Sequence, residues 1–153
     1  MRINEVVIDN VHGAGATSNN QEVDYKGLRV DMTPTTFLRL APPIDDPNTD
    51  RDQKFKDYIA NQGAIGAPFL TLDIPTEWKT NNFSKLARVV GHEGRHRMYF
   101  IREIEGNTPI EVHLFFTGLR NKDITPEWVA ALNHKLISQT RRILQGPFFE
   151  VMK

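Results

Sequence analysis

The residues in this chain best equipped for chemistry crowd into one short stretch, Gly91-His92-Glu93-Gly94-Arg95-His96-Arg97. Their types and spacing suit two different chemistries. His92-Glu93-Gly94-Arg95-His96 satisfies H-E-x-x-H, in which two histidines on one helix face hold zinc and the glutamate acts on the metal-bound water. Gly94-Arg95-His96-Arg97 has instead the character of a phosphate-gripping turn. There glycine lets an anion approach the amides at a helix start, and arginines add forked, charge-assisted bonds. The first chemistry needs a continuous helix, the second a turn before one. The flanking elements must therefore decide.

Residues 86–90, LARVV, are apolar and β-branched, which predicts a strand running into Gly91. A turn containing Gly94 follows. A helix then begins near Arg95, with Met98, Ile101 and Ile104 expected to face a sheet. Gly94 inside a helix would cost about 1 kcal/mol relative to alanine. A zinc site also needs a third ligand; neither His113 nor His134 stands at the extended H-E-x-x-H-x-x-G-x-x-H spacing, which leaves only a downstream glutamate. The turn is the better reading, and no zinc is expected. In it Gly91 and Gly94 shape the backbone while Arg95, His96 and Arg97 hold phosphate. Arg97 faces the anion, and Arg102 lies beyond its reach. His96 bonds the phosphate or braces the turn. Glu93 and His96 are the candidate catalytic groups. Glu93 either holds Mg2+ through water or acts as a base, or else simply favours the positive end of the helix. Asp73, closing a predicted strand, is a second candidate acid.

Composition narrows the partners. Nineteen basic and nineteen acidic residues give a formal net charge of zero, so a dedicated nucleic-acid binder is not favoured. The charge is nonetheless uneven. Residues 85–102 carry Lys85, Arg88, Arg95, Arg97 and Arg102 against Glu93 alone, and residues 45–52 carry four aspartates against Arg51. The chain contains no cysteine, which excludes disulfides, thiolate zinc ligands and thiol nucleophiles. MRINEVVIDN lacks the apolar core of a secretory signal, and no stretch approaches the length of a membrane span. A soluble cytoplasmic protein is expected.

The elements that position the stretch read as follows. GLRVDM (27–32) is a short strand after a Gly- and Asn-rich loop at 10–22, either a plain loop or one that closes over a ligand. Thr33-Pro34 opens a helix that ends at Pro42-Pro43. Asp50 to Gln53 has capping-box spacing, and Phe55, Tyr58 and Ile59 follow at helical intervals, which predicts a helix over 51–62. PFLTLDI (68–74) is a buried strand, PTEWKTNNFS (75–84) a loop, and PIEVHLFF (109–116) a strand with a period of two. Thr125-Pro126 opens a last helix whose apolar face is Trp128, Leu132, Leu136 and Ile143, with Trp128 a core anchor rather than a stacking platform. Strands 68–74, 86–90 and 109–116 should be neighbours. The sum is an α+β (mixed α/β) single domain over 1–153, with a small mixed sheet and flanking helices.

Residues 54–116, KFKDYIANQGAIGAPFLTLDI through ARVVGHEGRHRMYFIREIEGNTPIEVHLF, resemble the ParB/sulfiredoxin superfamily. In that superfamily a strand delivers a G-x-H-R turn to a helix and a further strand. Gly94, His96 and Arg97 match that turn. The resemblance implies binding of a nucleotide such as ATP or CTP with Mg2+, and NTPase or phosphotransferase activity. Arg95 occupies the place of the sulfiredoxin cysteine, so that enzyme's reaction is not implied; nor does a helix-turn-helix domain follow. The N-terminal strand, loop and helix and the C-terminal helix are additions to this core. The whole chain also resembles small proteins of tailed phages, which would place it in the host cytoplasm. A non-catalytic, phage-encoded module that engages a host protein is the alternative; an H-E-x-x-H peptidase is a more distant one.

Overall fold

The computed structural model describes residues 2–12, 22–41, 53, 67–140 and 149–150. Apart from Gln53, the helix expected over 51–62 lies outside the described residues, as do Pro42-Pro43, Ile143, the aspartate-rich run and residues 13–21 of the expected loop.

A six-stranded mixed sheet carries the architecture, and the chain is α+β as expected. The strands are β1 (Arg2–His12), β2 (Glu22–Met32), β3 (Phe69–Asp73), β4 (Ala87–Glu93), β5 (Ile110–Phe116) and β6 (Phe149–Glu150). Their order across the sheet is β1-β2-β5-β3-β4-β6. β3 runs parallel to β5 and antiparallel to β4, so the three strands expected to be neighbours are neighbours. The helices are α1 (Pro34–Leu40), α2 (Arg95–Glu105) and α3 (Pro126–Thr140).

Two corrections concern the N-terminal half. β1 was not expected, and residues 10–12 and 22, assigned to a loop, belong to strands that pair antiparallel from Arg2 opposite Asp31 to His12 opposite Glu22. A bulge between Ile3 and Glu5 explains the miss. Ile3 lies opposite Val30 and Val6 opposite Leu28, so the alternation changes phase and no period of two is legible.

Elsewhere alternation decides which face is covered. Leu28 and Val30 of β2, Leu70 and Leu72 of β3, and Val112 and Leu114 of β5 are fully buried, while Arg29, Thr71 and His113 between them are not. β3 is thus half-buried rather than wholly buried. The 75–84 segment is more than a loop, since a 3-10 turn over Thr76–Thr80 buries Trp78 completely.

The helix caps follow their sequence signals. Thr33 Oγ1 accepts from the Thr36 amide at 3.2 Å with Pro34 at the first helical position, and Thr125 Oγ1 accepts from the Trp128 amide at 3.1 Å. Trp128, Leu132 and Leu136 are buried core residues of α3, which docks along β1, where Asn133 Oδ1 accepts from the Ile3 amide at 2.9 Å. α1 and α2 touch, and Asn107, just beyond α2, accepts from the Thr35 amide at 2.9 Å. Among the described residues no helix is long and apolar enough to cross a membrane.

Candidate anion site at the Gly94 turn

The backbone settles which of the two opening patterns is available. β4 continues through Gly91, His92 and Glu93, Gly94 takes a left-handed conformation at φ 99°, and α2 starts at Arg95. His92 is therefore a strand residue and His96 a helix residue. The one-helix geometry that H-E-x-x-H requires does not form. Among the described residues no group of three or more metal-ligating side chains comes together.

The turn is a single residue, tighter than the loop from Gly91 to Gly94 that the sequence suggested. Gly91 lies within β4 opposite Thr71, beside a bulge, and among the described residues a Cβ there would meet only the Thr71 side chain at 3.6 Å. It does not shape the turn. Gly94 does, for two independent reasons. Its positive φ disfavours any side chain, and a Cβ would stand 2.6 Å from Pro68 Cβ and 2.8 Å from Arg97 Nη2. The strand ladder holds Pro68 in place, since its carbonyl accepts from the His113 amide at 2.9 Å.

The helix so started has no side-chain cap and no acidic residue in its first turn. Its first intrahelical bond runs from the Met98 amide to the Gly94 carbonyl, at 2.9 Å. The amides before Met98 thus lack intrahelical acceptors and present the positive end of the helix.

Side chains around this end take up distinct roles. Arg97, expected to face the anion site, is only 6% exposed. Its Nη2 lies 3.7 Å from Glu93 Oε1 and packs against Gly94. Burial pushes its guanidinium down from the ordinary value while Glu93 opposes the shift. Arg97 therefore braces the turn from beneath. Glu93 remains largely exposed at 63% of its side chain. Arg95 reaches across to α1, where its Nε donates to the Ala41 carbonyl at 3.1 Å. Burial and the Arg102 cation lower its pKa, and Tyr99 counteracts them. Arg102, expected in the same basic patch but beyond phosphate reach, is close enough to act electrostatically on Arg95. His92 is half-buried, and burial first, then Arg95, holds it below its ordinary value, with Glu93 opposing. His96 is half-buried in the first turn of α2.

Asp73 stands apart. It lies at the far end of β3 from the turn, about 13 Å along the strand. There it accepts from Thr117 Oγ1 at 3.0 Å and pairs with Arg88 at 3.5 Å. It does not join the site. A constellation that sequence reading missed lies on the less buried face of the sheet. Glu111 takes His113 Nε2 at 3.0 Å on one oxygen and Arg29 Nη1 at 3.1 Å on the other. Only the β2–β5 register, which sets Arg29 opposite His113, reveals it.

No protein-family model matches the chain, and comparison with curated proteins and with solved structures finds no significant match.

Proposed function

We propose that the protein binds the phosphates of a nucleotide at the Gly94 turn, as the ParB/sulfiredoxin resemblance implies. The observation carrying this reading is the uncapped start of α2, formed by a glycine that tolerates no Cβ and surrounded by His92, Arg95 and Arg97. Backbone amides at a helix start and the helix dipole favour an anion there, and Arg95, His92 on protonation and the partly neutralised Arg97 add positive charge nearby. His96, in the first turn, would add a donor. Glu93 suits Mg2+, which is commonly held by one or two carboxylates with substrate phosphates and would there offset phosphate charge. NTP hydrolysis or phosphoryl transfer is the activity that such a site can serve.

A specific observation favours a second reading, binding without turnover. Glu93, the carboxylate at the turn, is engaged by the Arg97 guanidinium at 3.7 Å rather than held clear for an attacking water. Titration of ATP, CTP, GTP and UTP with Mg2+, read by calorimetry and by phosphate release, separates the two. Nucleotide binding with release that Glu93→Gln abolishes supports an enzyme. Nucleotide binding without release supports a binding module. Arg95→Ala should weaken binding about ten- to a hundredfold, the worth of one charge-assisted bond. Absence of binding at millimolar nucleotide would end the phosphate reading altogether.

A further inference from the structure

The basic run at 85–102 resolves into two classes of cation. Lys85 pairs with Glu77 at 3.1 Å, Arg88 with Asp73 at 3.5 Å and Arg97 with Glu93 at 3.7 Å. Arg95 and Arg102 have no carboxylate partner among the described residues. They stand seven residues apart, two turns of α2, on one face and about 10 Å apart along the axis. Tyr99 lies between them on that face and is 37% exposed. The Arg102 guanidinium sits over the Tyr99 ring, 5.7 Å from its centroid. Arg95 is anchored by its Nε, so its two terminal nitrogens keep donors that no described residue takes. Two guanidiniums without a carboxylate partner among the described residues, with a partly exposed ring between them, form a surface that an alternating ligand of anions and flat rings would satisfy.

We infer that this face of α2 binds single-stranded nucleic acid, with backbone phosphates on Arg95 and Arg102 and a base stacked on the layer formed by Tyr99 and Arg102. A mononucleotide gathers its phosphates at one end and has a single base, so it cannot occupy both cations and the ring as a polymer can. Single strands bind where cations track the backbone and aromatic rings or guanidinium planes stack on bases. The zero net charge is no obstacle, because the contact is local and a stacked base adds an attraction that salt does not screen. The inference rests on reading the Gly94 turn as an anion site, which it extends from a single nucleotide to a chain of them.

The test is anisotropy of a labelled oligothymidylate of about eight nucleotides, within the usual site size of single-strand binders. It is run beside its duplex and free thymidine triphosphate. Wild type should bind the single strand more tightly than either. Tyr99→Ala should weaken that binding about five- to a hundredfold, and Tyr99→Phe should restore it. Arg102→Ala should reduce the salt slope by about 0.7, the contribution of one phosphate. Arg88→Ala, in the same basic run but paired with Asp73, should behave as wild type. Thermal melts check that each variant folds. Unchanged binding by Tyr99→Ala and Arg102→Ala, or a preference for duplex, overturns the inference. If triphosphate still binds in that case, the Gly94 turn remains an anion site and only its extension fails; if nothing binds, both readings fall.

Discussion

At Gly94 a backbone constraint and a steric one coincide, which makes the glycines of this region a graded test. Gly94→Ala must place a methyl group 2.6 Å from Pro68 while holding φ near 99°. At Gly106, which ends α2 at φ 84°, an added Cβ would meet nothing within 4 Å among the described residues, so alanine there faces the backbone strain, about 1–3 kcal/mol. Gly91 faces neither term, and Gly91→Ala should stay within about 0.5 kcal/mol of wild type. Urea unfolding should therefore rank the losses Gly94 above Gly106 above Gly91. A Gly91 variant as damaging as Gly94 would mean that the turn is wider than one residue. His92 gives a second residue-scale prediction. Its pKa is lowered from 6.5 by burial and by Arg95, so the unfolded chain binds a proton that the folded chain resists. Stability should thus fall as pH drops below about 6.5 and level off below the folded value. His92→Gln should lose this part of the acid sensitivity in pH-dependent melts. If the proposed phosphate site holds, a bound phosphate favours the charged imidazole, and calorimetric nucleotide affinity should rise as pH falls through the same window.

Among the elements, legibility followed how local the determining signal is. Thr33 and Thr125 announce α1 and α3 because a cap is a contact between residues three apart, and both caps form. β5 reads correctly because Val112, Leu114 and Phe116 keep one phase. β4 runs three residues past its apolar stretch because Gly91, His92 and Glu93 are drawn into the ladder by Thr71, Leu70 and Phe69 of β3, a register that no local pattern encodes. The buried face of α2 was misjudged for a similar reason. Arg97 is buried with Met98 and Phe100, whereas Ile104 is 48% exposed and Ile101 only partly covered. A cation goes inside here because Glu93 and the space left by Gly94 receive it, and hydropathy carries no trace of either. Within the site, the Gly94-centred turn was legible, while the inward path of Arg97 and the coupling of Arg95 to Arg102 were not. Met98→Ala should cost about 2–5 kcal/mol as a core truncation, and Ile104→Glu should lie within about 0.5 kcal/mol of wild type. Equal losses in chemical denaturation would place Ile104 in a contact that the fold does not give it.

Across the whole molecule the sheet separates two ends with different tasks. At the end where β4 stops and β3 begins lie Gly94, Pro68 and the start of α2. At the other end, beyond Asp73 and Phe116, an aromatic cluster fastens α3 to the sheet. Trp128 packs edge-on against Phe116 at 5.6 Å and near Phe83 at 6.3 Å, and Phe83 packs against Trp78 at 5.2 Å. Trp128 Nε1 donates to the Trp78 carbonyl at 2.7 Å in a fully buried bond. Trp128→Phe keeps most of the packing but removes that donor. The Trp78 carbonyl keeps the Asn81 amide at 3.1 Å, so the lost bond should cost about 0.5–1.5 kcal/mol, and Trp128→Ala about 3–5 kcal/mol through the cavity it leaves. Because the cluster and the turn share no side chain, the loss should appear in the melting temperature alone. Below its own transition, Trp128→Phe should bind nucleotide with wild-type affinity. If affinity instead declines in step with stability, the turn is held by the global packing of α3, not by Pro68, Glu93 and Arg97 around it.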